Sequence, residues 1–191
     1  MRVTHEVPYV GGGDPGPVPV TRVGAYAVVV ADDRLLLTQL GGTTPAPGVW
    51  TLPGGGLDHG EAPVDAVVRE VLEETGHVLV QPRLVDVGSA HFVGRSPGGR
   101  LEDFHGIRVV YLADVEQVRE PEVLDVGGST SAAAWVPLDE LPERPLAGWL
   151  LPLLARVLDR PALAGAGGSS YGHDHDDDGD AGPDGGGGRR S

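Results

Sequence analysis

The chain has 191 residues, with 28 acidic against 14 basic side chains, a net charge of −14 and no cysteine. Lack of cysteine excludes a disulfide scaffold, a thiolate nucleophile and Cys-ligated zinc. The acidity opposes nucleic-acid polymers and anionic membranes, both of which bind basic patches. The length suits one domain with a sizeable core.

In chain order, residues 1–20 carry Gly11, Gly12 and Gly13 and prolines at 15, 17 and 19, and read as a flexible arm. They hold no apolar signal core, and no run approaches the roughly 18 apolar residues of a membrane span, so a cytoplasmic protein is expected. The domain proper is expected over residues 21–160. Residues 23–30 are a β-branched apolar run, Asp32 and Asp33 form a turn, and residues 34–40 make a second short strand.

A glycine-rich stretch, Gly54, Gly55 and Gly56, then leads into a helix. Pro63 suits its first turn, where the missing N–H costs nothing. Val64, Val67, Val68, Val71 and Leu72 follow the helical rhythm of a buried stripe, and Gly76 supplies the stop. Glu70 and Glu74 fall beside that stripe at about 100° per residue, with Glu73 further round. Carboxylates at i, i+3 and i+4 share one face and repel by roughly 4 kcal/mol per close pair at an effective dielectric near 20. A divalent cation among them removes that cost, and hard oxygen donors suit magnesium or manganese. The alternative is a solvated helix face.

Residues 79–87 and 107–115 read as strands. Between them, residues 94–106 are rich in Gly, Ser and Pro and carry Arg95, Arg100 and His105, so a specificity lid is expected there. Residues 132–136 form a last strand, 138–142 a helical turn and 149–158 an apolar helix. Strands with helices on both faces make an α/β/α sandwich with a mixed β-sheet. Residues 161–191 read as a disordered acidic tail, whose His173 and His175 lie among aspartates that could hold a metal weakly.

Taken together, Gly55, Glu61, Arg69, Glu70, Glu73, Glu74 and Gly76 match the pattern G-x5-E-x7-R-E-U-x-E-E-x-G-U, with U a bulky aliphatic residue. The stretch resembles the signature of the Nudix hydrolases, which cleave nucleoside diphosphates linked to another group. Trp50, Leu52, Pro53, Gly54 and Gly55 are similar to the run that enters the box in many members. The resemblance implies the Nudix-type sandwich. It implies a metal-binding carbonyl at Gly55, a brace at Glu61, an orienting ion pair from Arg69, and metal ligands at Glu70, Glu73 and Glu74. His77 departs from the pattern at the closing position and reads as a packing substitution.

The implied activity is metal-dependent cleavage of a nucleoside triphosphate, oxidised nucleotide or nucleotide-sugar. Glu70 is the first candidate for general base, with Glu102, Asp103, Asp114 and Glu116 outside it. Tyr26, Phe92, Phe104 and Tyr111 are candidates to stack a base. A homodimer is open. The rival reading is a non-hydrolytic nucleotide-sugar-binding regulatory module of the same fold. The isopentenyl diphosphate isomerases share the fold too, but resemble a cysteine-dependent chemistry that this chain lacks.

Overall fold

The computed structural model describes residues 16–96, 98–125 and 127–165. Eight strands and two helices alternate in the order β1 (Val18–Val28), β2 (Val30–Ala31), β3 (Arg34–Leu40), β4 (Trp50–Thr51), β5 (Gly54–Gly56), α1 (Pro63–Thr75), β6 (Leu79–Arg95), β7 (Leu101–Val115), β8 (Thr130–Pro137) and α2 (Leu150–Val157). One sheet runs β5-β1-β7-β6, with β1 parallel to β7 and the other pairs antiparallel. In the second sheet β3 pairs β2, β4 and β8, all antiparallel. Asp32 and Asp33 both take positive φ, at 49° and 56°, the geometry of the tight turn that joins β2 to β3.

Period-two alternation divides the core between the helices. Ala25, Ala27, Val29 and Leu36 face α1, together with Leu79, Ala113 and Trp135. Val28, Leu35 and Leu37 face α2 with Leu52, Val110 and Val136. The result is the expected α/β/α sandwich with a mixed sheet. Pro63 opens α1, whose Ala62 cap makes no side-chain hydrogen bond. Gly76 closes the helix at φ 71°, its N–H donating to the Leu72 carbonyl.

Three expectations change. Val64 and Leu72 are 38% and 40% exposed, and the buried face of α1 is Ala66, Val67, Val71, Glu74 and Thr75. The core-facing stripe is rotated toward the glutamates, and Glu74 lies inside it. Residues 94–106 are not a loop: β6 and β7 pair as far as Arg95 and Leu101, leaving only a short turn. Gly94 and Gly106 lie within the strands, where backbone pairing with a neighbour overrides local propensity, and Gly98 and Gly99 make the turn. The ordered body also exceeds residues 21–160. Val18, Pro19 and Val20 already pair with β7, and Pro161–Gly165 forms a 3-10 turn that buries Leu163. The rest of the N-terminal arm and the tail from residue 166, with His173 and His175, lie outside the described residues. Among the described residues, no helix is long and apolar enough to cross a membrane.

Candidate functional site

The site forms where β5 passes the C-terminal half of α1. Tyr26, Ala25 and Gly24 of β1 pair with Gly54, Gly55 and Gly56 of β5, which brings the glycine run against the helix. A Cβ on Gly55 would sit 2.6 Å from the Glu70 carboxyl carbon and both its oxygens. Glu70 therefore lies directly on the Gly55 backbone, an approach only glycine permits. Gly54, at φ 141°, would drive a Cβ to 2.2 Å from the Ala25 carbonyl. Its N–H donates to Glu74 Oε2 at 2.9 Å, and the Thr130 hydroxyl donates to Glu74 Oε1.

Arg69 ties the cluster together. Its Nε and Nη2 donate to the two Glu61 oxygens at 2.9 Å each, a bidentate fork. Its Nη1 reaches Glu70 Oε1 at 2.8 Å and Glu73 Oε2 at 3.4 Å, and Nη2 reaches the Gly56 carbonyl at 3.1 Å. The Asp58 N–H also donates to Glu61, so the loop before α1 closes on its own brace. Bonding to Arg69 and that N–H holds the Glu61 carboxyl at a pKa of about 2.

The three expected ligands are not equivalent. Burial raises Glu74 to about 7, with Thr130 and Gly54 opposing the shift and Glu70 adding to it. Burial also raises Glu70, against the pull of Arg69. Glu73 remains more exposed and leans on Arg69. Among the described residues no three acidic or histidine side chains are gathered closely enough to hold a metal. Glu70 and Glu74 converge on Gly54 and Gly55, whereas Glu73 stands apart on the arginine. Two desolvated carboxylates that resist ionisation, beside a backbone carbonyl, are a donor set that a hard cation fits, because the cation reverses the cost of charging them.

The remaining candidates separate. Tyr26 lies beside the site, with its hydroxyl 3.0 Å from where a Gly24 Cβ would be, as is the Gly55 carbonyl. Tyr111 packs into the α1 side of the core. Phe92 and Phe104 lie against each other at 5.1 Å on the β6–β7 hairpin. Arg95 donates to the Gly99 carbonyl and Arg100 pairs with Glu102 at 2.7 Å, so both serve the hairpin turn. His105 meets His91 edge-on, and His91 contacts Asp103. Asp114 lines a cavity of about 120 Å³ with Val30 and Arg83, and Glu116 is exposed. His77 is 1% exposed: it stands edge-on to Trp135, and its Nε2 lies 3.1 Å from the Arg119 carbonyl. It packs, as its position in the pattern suggested.

Two residues that sequence reasoning passed over stand near Tyr26. Trp149 meets the Tyr26 ring edge-on at 5.7 Å, and the Arg108 guanidinium lies 4.7 Å over Trp149. The one local signal for Arg108 is its charge within the otherwise apolar run from residue 107 to 112.

Comparisons with known proteins agree with this architecture. The chain is 34% identical to a MutT NUDIX hydrolase from Burkholderia pseudomallei, whose crystal structure aligns with a TM-score of 0.57 over 72% of this chain and 98% of that one. It is 31% identical over 121 residues to an ADP-ribose pyrophosphatase of Methanocaldococcus jannaschii, covering 63% of this chain and 64% of that protein. An RNA pyrophosphohydrolase of Brucella anthropi is 31% identical over 134 residues, covering 63% and 69%. Other curated relatives are matched over 16% to 63% of their own length. The family model described as "NUDIX domain" matches residues 20–157, and the chain belongs to that family.

Proposed function

We propose that the chain is a metal-dependent hydrolase that cleaves the diphosphate linkage of a nucleoside diphosphate derivative. The observation that carries this reading is the Glu70 carboxylate lodged on Gly55 and braced by Arg69 and Glu61, beside the buried Glu74 held by Gly54 and Thr130. Gly55, Glu70 and Glu74 would hold magnesium or manganese, with Glu73 joining them by turning from Arg69, and the ion when bound neutralises phosphate oxygens and acidifies a water. The protein's own part is positioning and electrostatics, which dominate phosphoryl chemistry.

Arg69 fixes the Glu70 rotamer, and its fork to Glu61 keeps the loop and helix in one register. We assign the general base to Glu70, whose carboxylate lies on the Gly55 backbone at the centre of the cluster. The names of the M. jannaschii and B. anthropi relatives support pyrophosphate chemistry and differ in substrate. The net charge of −14 favours a small nucleotide over a polymer.

The test is a panel of nucleoside triphosphates, oxidised nucleotides and nucleotide-sugars, incubated with and without magnesium and assayed for released phosphate or pyrophosphate. Release from at least one substrate, abolished by chelation, is expected. No release from any member would remove the hydrolase reading.

A further inference from the structure

Most arginines in the described residues are engaged by carboxylates. Arg34, Arg69, Arg100, Arg144, Arg156 and Arg160 each have one within 3.4 Å. Arg108 differs. It is half-buried, no carboxylate lies within 4.0 Å of it among the described residues, and its one hydrogen bond is a 3.4 Å contact to the Ser89 carbonyl. Asp86 is nearby but is itself held by Arg156 at 3.1 Å. In a chain of net charge −14, a partly desolvated cation with no carboxylate in ion-pair distance among the described residues calls for an explanation.

Its surroundings supply one. Gly56 of β5, Gly24 of β1, Arg108 of β7 and Gly88 of β6 are register partners, forming one row across the sheet. Arg108 is the only residue of that row with a side chain, flanked by glycine on each side. At about 4.8 Å per strand, it stands roughly 10 Å from Gly56, two strands from the loop that carries Gly55. Tyr26 occupies the space between: its hydroxyl approaches Gly24 on the side of the Gly55 carbonyl, and its ring touches Trp149. Stacking on Trp149 uses one face of the guanidinium and leaves its N–H edges for oxygen acceptors.

We propose that Arg108, laid on Trp149, is a substrate-binding specificity residue. Its fork grips a phosphoryl group beyond the diphosphate held at Gly55 and Glu70, and so favours nucleoside triphosphates over nucleotide-sugars. The planar donor fork matches a phosphate's oxygens bidentately. A sugar in that place offers hydroxyls but no charge, and leaves the guanidinium uncompensated. The inference rests on the hydrolase reading for the position of the diphosphate, but its decisive measurement does not need turnover.

Calorimetric titration with inorganic tripolyphosphate and with pyrophosphate, both with magnesium, compares wild type with Arg108→Ala and Arg108→Lys. Wild type should bind tripolyphosphate about tenfold more tightly than pyrophosphate, a gap of about 1.4 kcal/mol. Arg108→Ala should erase the gap, and Arg108→Lys, a point charge in place of a fork, should restore part of it. In steady-state assays Arg108→Ala should raise KM for triphosphates about tenfold with kcat little changed, and leave KM for ADP-ribose where it was.

A tripolyphosphate preference that survives Arg108→Ala overturns the proposal, as does a wild type that shows no preference. An equal KM rise for ADP-ribose does the same. Should wild type release phosphate from no nucleotide while the calorimetric gap holds, the hydrolase reading falls and the anion subsite stands. The lysine variant guards against a folding defect in the alanine variant, and circular dichroism of both checks it.

Discussion

The loop–helix unit and the β6–β7 hairpin carry their order in different ways. Between Gly54 and Gly76, charged side chains grip one another and the backbone: Arg69 alone reaches Glu61, Glu70, Glu73 and the Gly56 carbonyl within 3.4 Å. The hairpin from Leu79 to Val115 is held by backbone pairing with β1, and exposes Leu84, Val87, Phe92 and Val93. Damage to the first region should remove function and spare the fold. Damage to the outer hairpin, the part between Arg108 and the turn, should remove some stability and spare function.

The sharpest break in that contrast is Glu70→Gln. The substitution keeps shape and a hydrogen-bond acceptor for Arg69 but removes the charge and the proton acceptor. Turnover should fall by about 10²–10⁴-fold, with the melting temperature within a few degrees of wild type. Glu74→Gln should act similarly, since Gln fills the same volume between Gly54 and Thr130. Full activity in the Glu74→Gln protein, measured by phosphate release, would take that residue out of the site.

Gly55→Ala comes next. The new methyl meets the far end of the Glu70 side chain, which can swing away, so the stability cost should lie near the bottom of the 1–3 kcal/mol typical of overpacking. The carboxylate cannot swing and still lie on the loop. A displacement of about 1 Å at a reacting centre costs on the order of 100-fold, so activity should drop far more than stability. Parallel thermal melts and rate assays read both; equal losses would mean that Gly55 serves the fold rather than the site.

Glu61 gives a pH signature. Its folded pKa is about 2 against an ordinary value of 4.5, so its stabilisation is fully present above pH 4.5 and disappears as pH falls through about 2. Glu61→Gln should therefore flatten the acid limb of the stability curve between those values, and freeing Arg69 should lower activity at neutral pH as well. Chemical denaturation from pH 2 to pH 7 measures the first effect. An unchanged acid limb would show the Arg69 fork to be structurally idle.

The same contrast explains what could be read from the chain alone. The loop–helix unit was legible because its contacts are local: Glu61, Arg69, Glu70 and Glu74 lie within 14 positions, so spacing on one helix nearly determines their geometry. Even so, the helix is turned so that Glu74 is buried and Val64 and Leu72 face solvent, a rotation set by packing on β1 and β8. The hairpin was misread as a lid because Gly94, Gly98, Gly99 and Gly106 are turn residues locally, and only pairing with β1 makes most of that stretch strand. Arg108 and Trp149 were missed for the same reason: they are 41 positions apart and meet only through the sheet.

The smallest expected effect tests the other half of the contrast. Phe104 stacks on Phe92 at 5.1 Å, while Phe92 is 55% exposed, so the pair contributes a contact rather than a buried core. Aromatic pairs of this kind add about 0.5–1.5 kcal/mol beyond their burial. Phe104→Ala should cost on that order in a urea melt, with the m-value unchanged because the rest of the sheet still unfolds as one unit. KM and kcat should stay at wild-type values, since Phe104 lies four residues along β7 from Arg108, toward the turn. A large fall in kcat would mean that the outer hairpin reaches the substrate after all. The two regions would then have to be treated as one site, with the aromatic pair as its far wall.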